Sequence, residues 1–233
     1  MNFCVFLSAE SSNASEFDSC MAAQKLTELF RRDSPSAGVV LHAPASLSSR
    51  DPYLEAEAPP ICVVQFYFDS IESMESELTT AGKIQEYAYW LEKRSTGEVT
   101  CRHQAMAVRS YRAPACALNA SALSPHTYLV QYDGSAEDNA VWLTRYVAQH
   151  PPIMVTLPGA YSVEVCSRID YCSSLDMSRM HSLQRNKVVF IDADALEKSL
   201  NSTVRHELRR DFESLPAFDG RAPHFPMQST YIR

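Results

Sequence analysis

A chain of 233 residues with 45% apolar and 21% charged side chains is long enough to bury a sizeable core, as one large or two small soluble domains. Its formal charge of −7, with short basic clusters (Arg31-Arg32, Arg205 to Arg210) interleaved with acids and read as solvated helix faces, argues against a nucleic-acid partner. Only six glycines, with no GxGxxG or GK[ST] loop, argue against a nucleotide site, and no run approaches the ~20 apolar residues of a membrane span.

In chain order, Phe3 to Leu7 reads as a strand, too short and too poor in preceding basic residues for a secretory signal, so a cytoplasmic location is expected. Ser15 to Arg32 reads as a helix and Gly38 to Leu41 as a strand. After a loop from Ala43 to Pro60 come a strand over Ile61 to Phe68, a helix from Ser70 to about Trp90, and a strand over Thr100 to Tyr111. A linker of Ala113 to Pro125 follows.

The second half opens with a strand over Tyr128 to Tyr132, ended by Asp133-Gly134 turn chemistry. A helix runs from about Ala136 to Gln149, with Ser135 as N-cap and Asp138 completing a capping box, and Pro151-Pro152 stop it. Pro158-Gly159 turns into a strand over Ala160 to Cys166, with Val163 and Val165 on one side and Ser162, Glu164 and Cys166 on the other. Ser167 to Asn186 is polar without a period and is read as a long loop. Lys187 to Ile191 is a strand, Asp192 or Asp194 to about Leu215 one helix, Pro216 to Pro223 a break, and His224 to Ile232 the last strand.

The two halves share this order, and short matches recur at nearly one offset. His103-x2-Met106 returns as His224-x2-Met227, 121 positions on, and Phe68 with Glu72, Met74 and Leu78 is echoed by Phe190 with Asp194, Leu196 and Leu200. The pattern predicts a duplicated βαββαβ unit, with repeats over 1–113 and 126–233 and a linker over 114–125. The fold class expected is α+β: two ferredoxin-like repeats whose open antiparallel sheets cover each other as an α/β barrel. Such pairing can occur within one chain, giving a monomer, or across chains, giving a homodimer. The seven cysteines have no CxxC spacing and sit mostly in apolar runs, which fits a reducing compartment without disulfides.

Tyr128-Leu-Val-Gln-Tyr132, then Trp142-x3-Tyr146-x3-His150-x-Pro152 and Leu157-Pro158-Gly159, resemble the EthD-like branch of the dimeric α/β-barrel superfamily. The likeness covers about residues 126 to 233, and the first half reaches it mainly through the repeat. It implies the ferredoxin-like barrel. It also implies chemistry drawn from a family that holds cofactor-independent monooxygenases, isomerases, dehydratases and heme enzymes.

His150 lines up with Leu29 of the first half, so only the second half would carry this histidine. It is a candidate proton-transfer group, or else a cap for the last carbonyls of its helix. His224 and Met227 recur in both halves, which favours a structural role, although His224 remains a candidate beside Tyr146. At strand period Met227 lies on the side of Phe225 and His224 on the other. Tyr128, Tyr132, Tyr161 and Trp142 are candidates for an aromatic binding surface, or plain core, and Arg168 for a carboxylate clamp, or a surface ion pair. His181 and His206 read as solvated. No histidine spacing suggests a metal site.

The expected function is a small cofactor-independent enzyme acting on an aromatic or apolar molecule by His-mediated proton transfer, of isomerase, dehydratase or decarboxylase, or oxygenase type. The alternative is a non-catalytic binding protein for a hydrophobic metabolite. Heme held by His150 or His224 is a minor variant of either.

Overall fold

The computed structural model describes residues 2–11, 17–30, 34–48, 51–54, 57–94, 98–113 and 124–232. The first half contains β1 (Phe3–Ser11), α1 (Ser19–Leu29), β2 (Gly38–Pro44), β3 (Cys62–Phe68), α2 (Ile71–Glu77), α3 (Lys83–Arg94) and β4 (Val99–Arg112). The second contains β5 (His126–Ala136), α4 (Asn139–Met154), β6 (Ala160–Arg168), β7 (Ser178–Arg179), β8 (Gln184–Phe190), α5 (Ala193–Leu200), α6 (Thr203–Ser214), β9 (Phe218–Arg221) and β10 (His224–Ile232). Most of the linker anticipated between them, 114–123, lies outside the described residues.

The strands follow the order β1-β3-β2-β10-β5-β8-β6-β4, and β4 returns to pair with β1, which closes a barrel. Within each half the order is that of a ferredoxin-like sheet, β4-β1-β3-β2 and β10-β5-β8-β6. The last strand of each half crosses to the second strand of the other: β4 pairs with β6, and β10 with β2. Each sheet thereby loses both free edges, so the barrel closes within one chain.

Alternation along the strands sorts side chains into three cores. Val5, Leu7, Val64 and Phe66 pack under the helices of the first half, and Val130, Val163, Val165 and Val188 under those of the second. The barrel interior holds Cys4, Phe6, Leu129, Cys166, Phe225 and Met227. Buried polar groups sit beside that apolar layer. Lys187 Nζ contacts Glu164 Oε2 at 3.1 Å and Gln65 Oε1 at 3.0 Å, and His42 Nδ1 meets Ser229 Oγ at 2.8 Å. Burial would lower the Lys187 pKa, but the Glu164 carboxylate outweighs it and keeps the ammonium charged.

Several sequence expectations are corrected. Asp133-Gly134 does not end a strand. β5 runs on to Ala136, and Gly134 pairs with Gly220 of β9 so closely that a Cβ on Gly134 would lie 2.1 Å from the Asp219 carbonyl oxygen. The N-cap of α4 is Asp138, accepting from the amides of Ala140 and Val141, rather than Ser135. Pro151-Pro152 do not stop that helix, which continues to Met154. Proline forfeits its own ladder bond but keeps a helical φ, and the Pro151 carbonyl still accepts from Val155 N.

The two long helices expected are each broken. Glu77 is buried and accepts from Lys83 N at 3.1 Å, starting α3 afresh, and Ser202 does the same for α6 through Arg205 N. Ser167 to Asn186 is not a single loop: β6 extends to Arg168, β7 forms a short parallel pair with β4, and β8 starts at Gln184, three residues early. The break expected over Pro216 to Pro223 contains β9.

Gly159, at the turn into β6, has φ 74°, and a Cβ there would lie 2.6 Å from Ala195 Cβ on α5. Gly159→Val should therefore combine left-handed strain with overpacking and cost about 3 kcal/mol. A thermal melt within 2 °C of wild type would contradict this.

Candidate functional site

Helical spacing places Trp142, Tyr146 and His150 on the inward face of α4, as a stack of rings. The Trp142 and Tyr146 centroids are 4.9 Å apart, and those of Tyr146 and His150 4.5 Å. Strand alternation brings Tyr128, Val130 and Tyr132 of β5, and Asn186 and Val188 of β8, beneath that stack. α6 supplies Arg205, Leu208 and Asp211 at three-residue spacing. Among these groups lies a cavity of about 50 Å³, bordered by Tyr128, Tyr132, Tyr146, His150, Asn186 and His224. A neighbouring space of about 80 Å³ shares Tyr132, His150, Arg205, Leu208 and His224 with it.

His150 is buried and lies within α4 rather than at its end, so it caps no carbonyl. Its Nδ1 stands 2.7 Å from Asp211 Oδ2. A carboxylate accepts only, so Nδ1 carries the hydrogen and Nε2 is left with its lone pair. Burial pulls the His150 pKa below its ordinary value, and the Asp211 carboxylate partly restores it, so the ring is neutral at pH 7.

Asn186 Nδ2 donates to the Tyr146 hydroxyl at 2.5 Å, and the hydroxyls of Tyr146 and Tyr132 are 3.2 Å apart. Burial pushes the Tyr132 phenol up to about 12 and that of Tyr146 well above its ordinary value, so both act as neutral donors. His224 Nδ1 donates to the Ala222 carbonyl at 2.6 Å, and burial draws its pKa down to about 4. The arrangement thus presents one neutral imidazole backed by a carboxylate, two phenols and a second neutral imidazole to a small, largely apolar space.

Part of the cover comes from the other half of the chain. Residues 51–54, in the loop after β2, lie over α6. Asp51 accepts from Arg205 Nε at 2.8 Å and Nη2 at 2.9 Å, and from the Tyr128 hydroxyl at 2.9 Å. Burial would raise the Asp51 carboxyl, but the paired Arg205 guanidinium outweighs it and holds the carboxyl below the usual range. Tyr53 contacts the His206 ring and lies under the Arg205 guanidinium. The opposite half is strapped in the same manner: Cys172 N donates to Glu75, Ser174 N to Leu78 O and Asp176 N to Gln85.

Breaking the Asp51 clamp should release the cover without unfolding the barrel. Arg205→Met is expected to raise the rate of chymotrypsin cleavage after Tyr53 at least about tenfold, roughly the 1.4 kcal/mol of one charge-assisted contact. An unchanged cleavage rate would show that the clamp does not hold the segment.

The structure therefore gathers Tyr128, Tyr132, Tyr146, His150 and His224 around one cavity. Trp142 packs behind them against Tyr132 and Phe218, fully buried. Tyr161 stands at the bulge in β6, away from the cavity wall. Arg168 is exposed at the end of β6, and Met227 points into the barrel on the other face of β10, so neither contacts this space. Arg205 is not the solvated basic residue expected, with its side chain 11% exposed. Asp211, Asn186 and Asp51 were not among the sequence candidates. The i, i+3 spacing of Arg205, Leu208 and Asp211 carried a signal for one of them.

No protein-family profile and no curated protein matches the sequence. Solved structures do match the fold. A proposed monooxygenase from Fusobacterium nucleatum is 8% identical, covering 100% of this chain and 93% of its own, with a TM-score of 0.62. An anthrone oxidase-like protein is 10% identical over 100% and 94%, with a TM-score of 0.59. A proposed monooxygenase from Lactobacillus acidophilus is 9% identical over 99% and 96%, with a TM-score of 0.56. The shared fold is the dimeric α/β barrel. At such identities the likeness carries architecture alone, and the EthD-like resemblance of residues 126–233 still rests on its motifs.

Proposed function

We propose that the chain is a cofactor-independent enzyme that moves a proton on a small aromatic or apolar molecule, with His150 as the base. The observation that carries this reading is the buried Asp211–His150 pair, whose imidazole borders a largely apolar cavity. A carboxylate behind Nδ1 fixes the tautomer and stabilises the imidazolium once a proton has been taken. Tyr146, oriented by Asn186, and Tyr132 are placed to donate to an oxygen that gains charge as the proton leaves. His224 and Tyr128 shape the opposite wall.

Size favours a substrate of about one ring. A dry cavity of about 150 Å³ is known to hold benzene, and the two spaces together approach that scale. Entry then requires residues 51–54 to lift. A heme macrocycle does not fit a space of this volume, so no step is assigned to one. Isomerisation and elimination come first among the reaction types because they need only acid and base, and cofactor-free oxygenation follows.

The test is a panel of single-ring phenols and enolisable ketones, incubated in deuterated buffer and followed by mass spectrometry. Wild-type protein should catalyse exchange or conversion of at least one member, and His150→Trp, which fills the cavity, should not. A panel member that binds tightly yet emerges unexchanged and unchanged would overturn the enzyme reading in favour of a binding protein.

A further inference from the structure

A larger concavity, of about 610 Å³, opens at one mouth of the barrel. It lies on the opposite face of β5 and β10 from the His150 cavity, because Gln131 and Phe225 border it while Tyr132 and His224 face the helices. The rim carries Arg102 near the start of β4 and Asp133 toward the end of β5, and Met180 and Phe225 contribute apolar surface.

Against this pocket, on β8, lies Arg185, 0% exposed. Its Nη2 donates to Gln131 Oε1 at 2.7 Å and lies 3.0 Å from Met180 Sδ, and both of those residues border the concavity. Its Nε and Nη1 are buried with no partner among the described residues. Asp133 attracts it from a distance, but the Asp133 carboxylate is bonded to Gln131 Nε2 at 2.5 Å and Ser182 Oγ at 2.6 Å. Arg102 repels it; Arg102 is paired through Nη2 with Glu10, which with Glu57 also lines the mouth, but its Nε is buried without a partner among the described residues. Three guanidinium nitrogens without partners, two on Arg185 and one on the Glu10-paired Arg102, therefore lie in or beside the wall of one pocket. A buried guanidinium in that condition is destabilising until an anion meets it.

We infer that this barrel mouth binds a small organic carboxylate, which pairs with Arg185 and is clamped from the rim by Arg102. Guanidinium and carboxylate match in shape and charge, and the fork geometry allows two parallel hydrogen bonds. Phe225, Pro60 and Pro223 offer the organic part of the ligand an apolar wall. Met180 covers Arg185, and its unbranched thioether side chain is the group that swings aside to admit the ligand. The site owes nothing to the chemistry assigned to His150, so either assignment can fail alone.

Thermal melts at pH 7.5, with ionic strength held constant by sodium chloride, test the inference with sodium benzoate, sodium succinate and sodium sulfate. At least one carboxylate should raise the wild-type Tm saturably, by roughly 5 °C at a hundredfold excess over its Kd. Arg185→Met removes the unpaired cation, so it should melt no lower than wild type without ligand and gain nothing from either carboxylate. Arg102→Gln should weaken carboxylate binding at least about tenfold. A flat wild-type response to both carboxylates, or an undiminished response in Arg185→Met, overturns the site. Should Arg185→Met fail to fold, an undiminished response in Arg102→Gln overturns it equally. Sulfate as effective as the carboxylates would overturn the organic ligand and leave an adventitious ion only.

Discussion

Acidification from pH 7 to pH 5 should remove about 3–4 kcal/mol of folding stability, a large share of what a typical domain possesses. His103 and His224 occupy matching places on β4 and β10, and burial draws both pKa values down to about 4. The unfolded chain binds protons at these residues near pH 6.5, whereas the folded chain refuses them until about pH 4. Stability is therefore complete above pH 6.5 and falls as pH drops through the window between the two values. The two contribute about equally, because their folded-state values are both about 4. His42 and His150, also lowered by burial, act in the same direction. Melts by circular dichroism at pH 7.5, 6, 5 and 4.5 should show Tm falling steadily, and His103→Gln should flatten the slope. A Tm unchanged between pH 7 and pH 5 would mean that these rings take up protons within the fold.

What was legible in the sequence was mainly what periodicity encodes. The alternation in Ser162 to Cys166 put Val163 and Val165 on one side and Glu164 and Cys166 on the other, and the structure turns the first pair toward the helices and the second into the barrel. The helical stripe through Trp142 and Tyr146 likewise marked one face of α4, although His150, read at the helix end, lies on that face within the helix. Interrupted elements were less visible. Ser202 sits within a helical pattern and looks like an ordinary polar residue, and only its bond to Arg205 N shows that a new helix begins there. Gly134 carries the sequence mark of a turn, yet it serves the close approach of β5 and β9. The fold also brings together residues with no sequence relation: Asp51 and Arg205 are 154 positions apart, and nothing in a charged pair at that separation distinguishes it from two solvated groups. Gln184, Arg185 and Asn186 read as loop because they are polar, although they are the buried start of β8, with Asn186 turned to the Tyr146 hydroxyl and Arg185 to the barrel mouth.

Replacing Asp211 with asparagine should lower turnover of an identified substrate about 10²–10⁴-fold while leaving the fold intact. An amide of the same shape fits beside His150, but it brings no charge to stabilise the imidazolium, and its NH₂ can donate to Nδ1 and invert the tautomer. With the tautomer inverted, Nε2 carries the hydrogen and has no lone pair to offer the substrate. Losing the carboxylate also lets burial act unopposed on the ring, so the His150 pKa falls further. The base must be neutral to work, so activity rises with pH through that pKa. The acidic limb of kcat/KM should therefore move to lower pH in Asp211→Asn even as its plateau drops. A merely structural Asp211 would lower the amount of folded enzyme without moving that limb. His150→Ala should cost as much as Asp211→Asn or more, and the double variant should be no worse than His150→Ala, because the carboxylate acts only through the ring. Additive losses in the double variant would separate the two residues and return His150 to the aromatic core it shares with Tyr146.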